Sequence, residues 1–274
     1  MRKFNHRAKG FSKINLSYLS HCSHLVYKSK QEIAQELEKL GFDLSRDRYF
    51  FSDPETDTQA FLVGDARKII LAFRGTEGKL ADWATDARIF KRQWTQAQPL
   101  GAVHRGFYSA LSSLWEALEE EVAHLRTNNQ SLWITGHSLG GALASLAAAT
   151  FELQHPQQGV NGVYTFGQPR IADQEFSQNY NKLLKERSFR CVNNNDVVTR
   201  VPPQIFGYSH VGKLLYFDAD GELQRDNSLS WWARFWDRLE GRYDDVFNLT
   251  PDGVTDHSIE IYLNLAEKTH QGNS

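Results

Sequence analysis

An α/β fold, with a mostly parallel central sheet flanked by helices, is predicted by three features of the sequence. Short apolar runs with strand character alternate with stretches of helical periodicity. One strand and one helix are joined by a glycine-flanked turn, Gly136-His137-Ser138-Leu139-Gly140. The 274 residues are 41% hydrophobic, which is enough to bury one sizeable core. We therefore treat residues 1–274 as a single domain.

The predicted elements follow from local periodicity and from turn residues. The predicted helices are 14–28 and 30–40, within a helical N-terminal extension over 1–45, then 111–125, 141–149 and 256–267. The predicted strands are 59–63 and 68–73, joined as a hairpin, then 131–135, 163–166, 189–192 and 213–217. Strands that alternate with helices in this way favour a parallel sheet with an antiparallel edge.

Charge and composition argue against several classes of partner. The net charge is −2 and the sequence has no basic block, so a nucleic-acid partner is not expected. Cys22 and Cys191 lack metal-binding spacing and favour free thiols over a disulfide. The apolar runs are too short for a transmembrane segment, and none follows the basic N-terminus as in a signal peptide. A cytoplasmic protein is expected, with a secreted mature chain as the open alternative.

The turn around Ser138 is the feature with the most chemical content. A β-prone run ends at Thr135 and a run of helix formers begins at Gly141, so the turn joins a strand to a helix. This arrangement is a nucleophile elbow, which holds a serine in a strained conformation at a strand end. Gly136 and Gly140 lack side chains that would collide there. The alternative is an incidental serine in a glycine-rich turn.

A serine nucleophile needs a base and an acid that orients the base. In α/β-hydrolases the order along the chain is serine, acid, histidine. Asp196 follows the strand predicted at 189–192, which places it at the same edge of the sheet as Ser138. The alternative is a capping carboxylate in an Asx-rich turn.

Four histidines are candidates for the base. His104 precedes both Ser138 and Asp196, which is the wrong order. His137 adjoins the nucleophile, so its side chain should point away from the attack side. His210 and His257 both satisfy the order, and the residues alone leave the choice between them open.

Four ordered segments together are highly specific. They are Phe73-Arg74-Gly75-Thr76, Val103-His104-Arg105-Gly106-Phe107, Gly136-His137-Ser138-Leu139-Gly140-Gly141-Ala142 and Asn195-Asp196-Val197-Val198-Thr199-Arg200-Val201-Pro202-Pro203. With this set the chain resembles the class 3 lipases, the family of the filamentous-fungal triacylglycerol lipases and their bacterial relatives. The resemblance implies an α/β-hydrolase fold and a triad of Ser138, Asp196 and His257. It makes His210 a recurrent non-catalytic histidine.

The same resemblance implies the rest of the site. The backbone N–H groups of Leu139 and Thr76 would form an oxyanion hole. Residues 77–95 would form a lid with an amphipathic helix, for which an ordinary surface helix is the alternative. The candidate substrate- or lid-contacting residues are Leu80, Trp83 and His137.

The chain departs from the fungal pattern in the segment 218–255, an insertion before His257. Within it, residues 230–243 would place large apolar side chains on one face of a helix. Such a face suits a membrane interface, and closing the core beside His257 is the alternative.

These features imply a serine carboxylester hydrolase that acts on acyl glycerides through an acyl-enzyme. Phospholipase A1, feruloyl-type esterase and acyltransferase activities are open alternatives, and a catalytically silent lipid-binding protein is the non-enzyme alternative. The chemistry requires no metal or organic cofactor. The expected partner is a lipid ester at a lipid–water interface, and the sequence does not predict the oligomeric state.

Overall fold

A computed structural model of the protein describes residues 3–45, 48–75, 90–96, 98–225 and 255–272. The strands are β1 (Phe50–Asp53), β2 (Thr58–Gly64), β3 (Lys68–Phe73), β4 (Lys91–Gln93), β5 (Ala102–His104), β6 (Ser131–His137), β7 (Val160–Phe166), β8 (Ser188–Asn193), β9 (Lys213–Phe217) and β10 (Leu223–Gln224). The helices are α1 (Lys13–Leu25), α2 (Lys30–Lys39), α3 (Arg105–Leu125), α4 (Leu139–Gln154), α5 (Gln174–Leu184) and α6 (Ile259–Gln271).

The central sheet has a parallel middle and antiparallel edges. Within the described residues the strand order is β1-β2-β3-β6-β7-β8-β9-β10. The strands from β3 to β9 in this order pair in parallel, and their connections include α3, α4 and α5. The hairpin β2–β3 is antiparallel, as predicted, and β10 adds an antiparallel strand at the other edge. The predicted α/β-hydrolase architecture is confirmed.

Both faces of the sheet are buried, which explains why the central strands are continuous apolar runs rather than alternating ones. In β3, Ile69, Leu71 and Phe73 face the core that contains α3, α4 and α5. Ile70 and Ala72 face the opposite core, with α1, α2 and α6. The alternation of side chains along one strand therefore supplies two separate hydrophobic layers.

The N-terminal helices form part of the second layer. The hydroxyl of Tyr164 in β7 accepts a hydrogen bond from the backbone N–H of Ser12, which caps α1. Ser23 of α1 lies 2.8 Å from Thr135 of β6, hydroxyl to hydroxyl. Because these contacts fix α1 against the strand that ends at the elbow, they also fix Tyr27, which follows that helix.

Several predicted helix boundaries were wrong. The helices predicted at 111–125 and 141–149 extend over Arg105–Leu125 and Leu139–Gln154, because the predictions covered only the most apolar part of each helix. The first helix ends at Leu25 rather than at 28, because Ser29 begins α2 with a reciprocal cap to Glu32. The last helix begins at Ile259 rather than at 256, because the hydroxyl of Ser258 accepts from the backbone N–H of Glu260. His257 therefore lies in the turn before α6. Both cysteines are free and buried, and no described helix has the length and apolar character needed to cross a bilayer.

Candidate active site

The turn between β6 and α4 places Ser138 in a conformation that non-glycine residues rarely adopt. Its φ and ψ are 57° and −129°. A Cβ atom at Gly136 would lie 2.2 Å from the carbonyl oxygen of Gly140, and one at Gly140 would lie 2.3 Å from the carbonyl oxygen of Phe73. The two glycines of the motif are therefore required by the close approach of strand, helix and neighbouring strand.

Asp196 and His257 form a buried pair at the same edge of the sheet. The Nδ1 atom of His257 lies 3.0 and 2.9 Å from the two carboxylate oxygens of Asp196. The carboxylate also accepts from the Tyr262 hydroxyl at 2.6 Å and from the backbone N–H of Val198 at 2.9 Å. An ionised carboxylate only accepts, so Nδ1 of His257 carries the proton and Nε2 of the neutral ring is free to act as a base.

Contacts to neighbouring residues bring this pair to the elbow. The rings of His257 and His137, the residue before Ser138, have their centroids 4.5 Å apart. Ser138 Oγ and His257 Nε2 are both buried, and neither has a hydrogen-bond partner among the described residues. A nucleophile–base bond is often long in a free enzyme and shortens in the Michaelis complex. The structure thus brings Ser138, Asp196 and His257 together without closing the serine–histidine bond.

Gly167 makes room for the pair at the end of β7. Its φ is +59°, and a Cβ atom there would lie 2.8 Å from two ring atoms of His257 and 2.9 Å from Asp196 Oδ2. The backbone N–H of Gly167 donates to the carbonyl oxygen of Cys191 in β8 at 3.0 Å. A side chain at this position would displace the imidazole.

The backbone around the elbow offers donors for a developing negative charge. Leu139 is the first residue of α4, so its N–H has no acceptor in a preceding helical turn. Gly75 packs on the elbow: a Cβ atom there would lie 3.0 Å from Ser138 Cβ and 2.6 Å from the carbonyl oxygen of His137. Thr76, the second predicted donor, follows Gly75 and lies outside the described residues.

The other candidate histidines occupy different surroundings. His137 is buried, and its ring nitrogens bond to the Tyr27 hydroxyl at 2.8 Å and to the carbonyl oxygen of His257 at 2.7 Å. Both nitrogens are thus used inside the protein, which speaks against a substrate- or lid-contacting role. His104 caps α3. Burial, together with the charges of Arg190 and Arg170, lowers the pKa of His210 well below its ordinary value.

Most of the predicted lid cannot be compared with the structure. Leu80 and Trp83 lie outside the described residues, as does the segment 230–243. The C-terminal end of the predicted range 77–95 was wrong, because residues 91–93 form β4 and pair with β5. Trp94 is fully buried in the core beside α3. The carbonyl oxygen of Phe90 accepts from the backbone N–H of Arg105, so a mobile cover at this place can extend no further than residue 89.

Sequence reasoning missed the tyrosines that support the site. Tyr262 lies one helical turn into α6, within the segment predicted as a helix, but periodicity did not show that its hydroxyl turns towards Asp196. Tyr27 lies 110 residues before His137, and no local pattern signals a contact over that distance.

The protein has the fold of an α/β-hydrolase with a serine elbow. Its sequence also assigns it to a family. The family described as Lipase (class 3) matches residues 70–206, half of the chain. The protein belongs to the class 3 lipase family.

Several relatives are similar in sequence. The triacylglycerol lipase OBL1 of Arabidopsis thaliana is 31% identical over 215 residues, which cover 60% of this chain and 41% of the relative. The secreted mono- and diacylglycerol lipase 1 of Fusarium solani is 30% identical over 64% of this chain and 52% of its own length. The lipase of Rhizomucor miehei is 33% identical over 57% of this chain and 44% of its own length. The matches thus span about half or less of these curated relatives.

Solved structures share the fold. The triacylglyceride lipase of Rhizomucor miehei superposes with a TM-score of 0.64 at 22% identity, covering 92% of this chain and 95% of that one. The lipase of Rhizopus microsporus var. chinensis gives a TM-score of 0.58 at 23% identity, covering 76% of each chain.

Proposed function

We propose that the protein is a serine carboxylester hydrolase that acts on acyl glycerides through an acyl-enzyme. The observation that carries this proposal is the buried Asp196–His257 pair beside the strained turn of Ser138. Membership of the class 3 lipase family and the names of its relatives support the choice of substrate class.

The proposed reaction begins when Ser138 Oγ attacks the carbonyl carbon of the ester. Nε2 of His257 takes the hydroxyl proton and then gives it to the departing alcohol. The carboxylate of Asp196 keeps the proton on Nδ1 and stabilises the imidazolium that forms. Water, deprotonated by His257, then attacks the acyl-enzyme, which releases the carboxylic acid and restores Ser138.

The oxyanion of each tetrahedral intermediate would be held by backbone N–H groups of Leu139 and Thr76. The position of Leu139 at the start of α4 supports the first assignment, because the helix dipole also favours negative charge there. The packing of Gly75 on Ser138 supports the second, because it brings the chain beside the elbow one residue before Thr76.

Acyl glycerides are poorly soluble, so we infer that the substrate is met at a lipid–water interface, with residues 77–89 as a cover over the site. The phospholipase A1-II 5 of Oryza sativa subsp. indica is 31% identical over 129 residues, which keeps phospholipase A1 activity as the second candidate. A cytoplasmic location stays a prediction, since one relative is named as secreted.

The test measures hydrolysis of p-nitrophenyl esters, triacylglycerol and phospholipid by the parent protein, Ser138→Ala and the control Ser113→Ala. Ser113 is an exposed serine of α3. Loss of turnover on the order of 10⁶-fold is expected for Ser138→Ala alone. Faster phospholipid than glyceride hydrolysis would favour the second candidate, and fluorophosphonate labelling that survives Ser138→Ala would overturn the assignment.

A further inference from the structure

Three large apolar side chains are exposed among the described residues. Phe90, Ile205 and Phe206 are 53%, 61% and 37% exposed. Phe90 immediately precedes β4, whereas the other two belong to a short 3-10 helix, Gln204–Phe206, in the segment that follows Asp196. Scattered single exposures are ordinary, so their significance depends on whether the three lie together.

Contacts between the two segments show that the segments lie side by side. The ammonium group of Lys91, next to Phe90, lies 4.8 Å from the ring centroid of Tyr208. A Cβ atom at Gly207, next to Phe206, would lie 2.8 Å from the same ammonium group. The neighbours of the exposed apolar residues are therefore in contact, which places Phe90 and Phe206 on one surface.

The surface lies beside the catalytic edge of the sheet, by which we mean the carboxyl ends of the parallel strands, where Ser138 lies. The backbone N–H of His104 in β5 donates to the carbonyl oxygen of Ile171, which lies shortly after the end of β7. The N–H of the next residue, Arg105, donates to the carbonyl oxygen of Phe90. The segment that contains Ile205 and Phe206 follows Asp196 along the chain. The carboxylate of Asp196 accepts a hydrogen bond from the backbone N–H of Val198 at the start of this segment. Parallel strands end at this edge, so the surface and Ser138 face the same side of the molecule.

The two described segments that form this surface carry cations but no carboxylates. The segments 90–115 and 197–217 contain no aspartate or glutamate, in a chain whose net charge is −2. Lys91, Arg92 and Arg105 are exposed. Asp173, which contacts β5, uses its carboxylate on the backbone N–H groups of Ala102 and Phe176. The cations are therefore not neutralised by acids from their own segments.

We propose that this surface, the cationic apolar rim formed by Phe90, Lys91, Arg105, Ile205 and Phe206, docks the protein on an anionic phospholipid surface. Exposed aromatic and aliphatic side chains suit the headgroup boundary, and cations beside them are attracted to anionic headgroups. Because the rim lies at the catalytic edge, docking would turn the site towards the lipid. This last step rests on the proposed function, whereas the binding itself does not.

The test is co-sedimentation with phosphatidylcholine vesicles, with and without phosphatidylglycerol, at low and high salt. We expect the parent protein to bind the anionic vesicles more tightly, and salt to weaken this binding. Lys91→Glu/Arg105→Glu should weaken it by at least about tenfold. Ile205→Ser/Phe206→Ser should weaken the binding that remains at high salt.

The matched control is Lys182→Glu/Lys185→Glu, which makes the same charge change at two exposed lysines near the start of β8, at the opposite edge of the sheet. Equal binding by this control and by the rim charge variant would overturn the proposal, as would equal binding of neutral and anionic vesicles by the parent protein. Hydrolysis of a soluble ester should be unchanged in all variants. Vesicle binding of the expected pattern without any esterase activity would support the rim and refute the proposed function.

Discussion

The ring of His137 donates a hydrogen bond from Nε2 to the main-chain carbonyl oxygen of His257 across 2.7 Å. A carbonyl oxygen only accepts, so this bond fixes the proton of His137 on Nε2. Burial and the neighbouring His257 lower the pKa of His137 well below its ordinary value, which keeps the ring neutral. The bare Nδ1 then accepts from Tyr27, so two successive hydrogen bonds join the residue that lies just after α1 to the turn that carries His257.

Removing the hydrogen bond between Tyr27 and His137 should reduce turnover. Tyr27→Phe leaves a buried acceptor on His137 without its donor and loosens the ring that holds the His257 turn. We expect kcat to fall by roughly tenfold with little change in KM, because small displacements of a base are costly. We also expect a loss of about 1–3 kcal/mol in the free energy of unfolding.

The control is Tyr49→Phe, which removes a tyrosine hydroxyl that bonds to the carbonyl oxygen of Lys30 away from the site. A kcat that is the same in both variants would mean that Tyr27 acts only on stability.

The choice between His257 and His210 can be tested by substitution. His257→Gln removes the atom that would take the serine proton, so activity should approach that of Ser138→Ala. His210→Asn should retain most of the activity of folded protein, because His210 does not contact the carboxylate of Asp196 among the bonds of the described residues. Circular dichroism identifies the folded samples, and the reverse order of activities would refute the assignment.

The backbone strain at Ser138 predicts an effect on stability that is separate from catalysis. At φ 57° and ψ −129° a glycine is accommodated without penalty, whereas alanine keeps the steric cost of a Cβ atom. Both Ser138→Gly and Ser138→Ala should be inactive. Urea unfolding should show the glycine variant to be more stable than the alanine variant by about 1 kcal/mol. Equal midpoints would mean that the turn stores no strain at this residue.

The sequence predicted the parts of the molecule that depend on neighbours along the chain. The strand, turn and helix around Ser138 are local, as is the hairpin β2–β3, and the structure confirms both. The sequence predicted Ser138, Asp196 and His257 as a triad, and the structure places the last two of these residues in contact. Their catalytic roles stay predictions. The predicted end of the lid failed because the burial of Trp94 is decided by packing against α3, which periodicity does not show.

The supporting contacts could not be predicted for the same physical reason. His137 and His257 are 120 residues apart, and Tyr27 reaches His137 only because α1 packs on β6. Such contacts depend on the position of whole layers. A short motif records the conformation of its own backbone and carries no information about which distant hydroxyl completes it.

The last prediction concerns acid stability. His104 caps α3 by accepting from the backbone N–H of Gly106 at Nδ1, and burial lowers its pKa from the ordinary 6.5 to about 4. Between these values the unfolded chain binds a proton that the folded chain excludes, so the stability present above about pH 6.5 is lost as the pH falls. This residue alone should cost on the order of 3 kcal/mol by about pH 4.

His104→Asn keeps a side-chain acceptor at the cap and removes the titration. Its free energy of unfolding should therefore fall less steeply than that of the parent protein between about pH 6.5 and pH 4, in urea titrations at matched ionic strength. A residual slope of the same sign is expected, because the pKa values of His137 and His210 are also lowered by burial. If the free energies of unfolding of the two proteins changed in parallel with pH, His104 would be protonated equally in the folded and unfolded states. That result would contradict the lowered pKa of the buried cap.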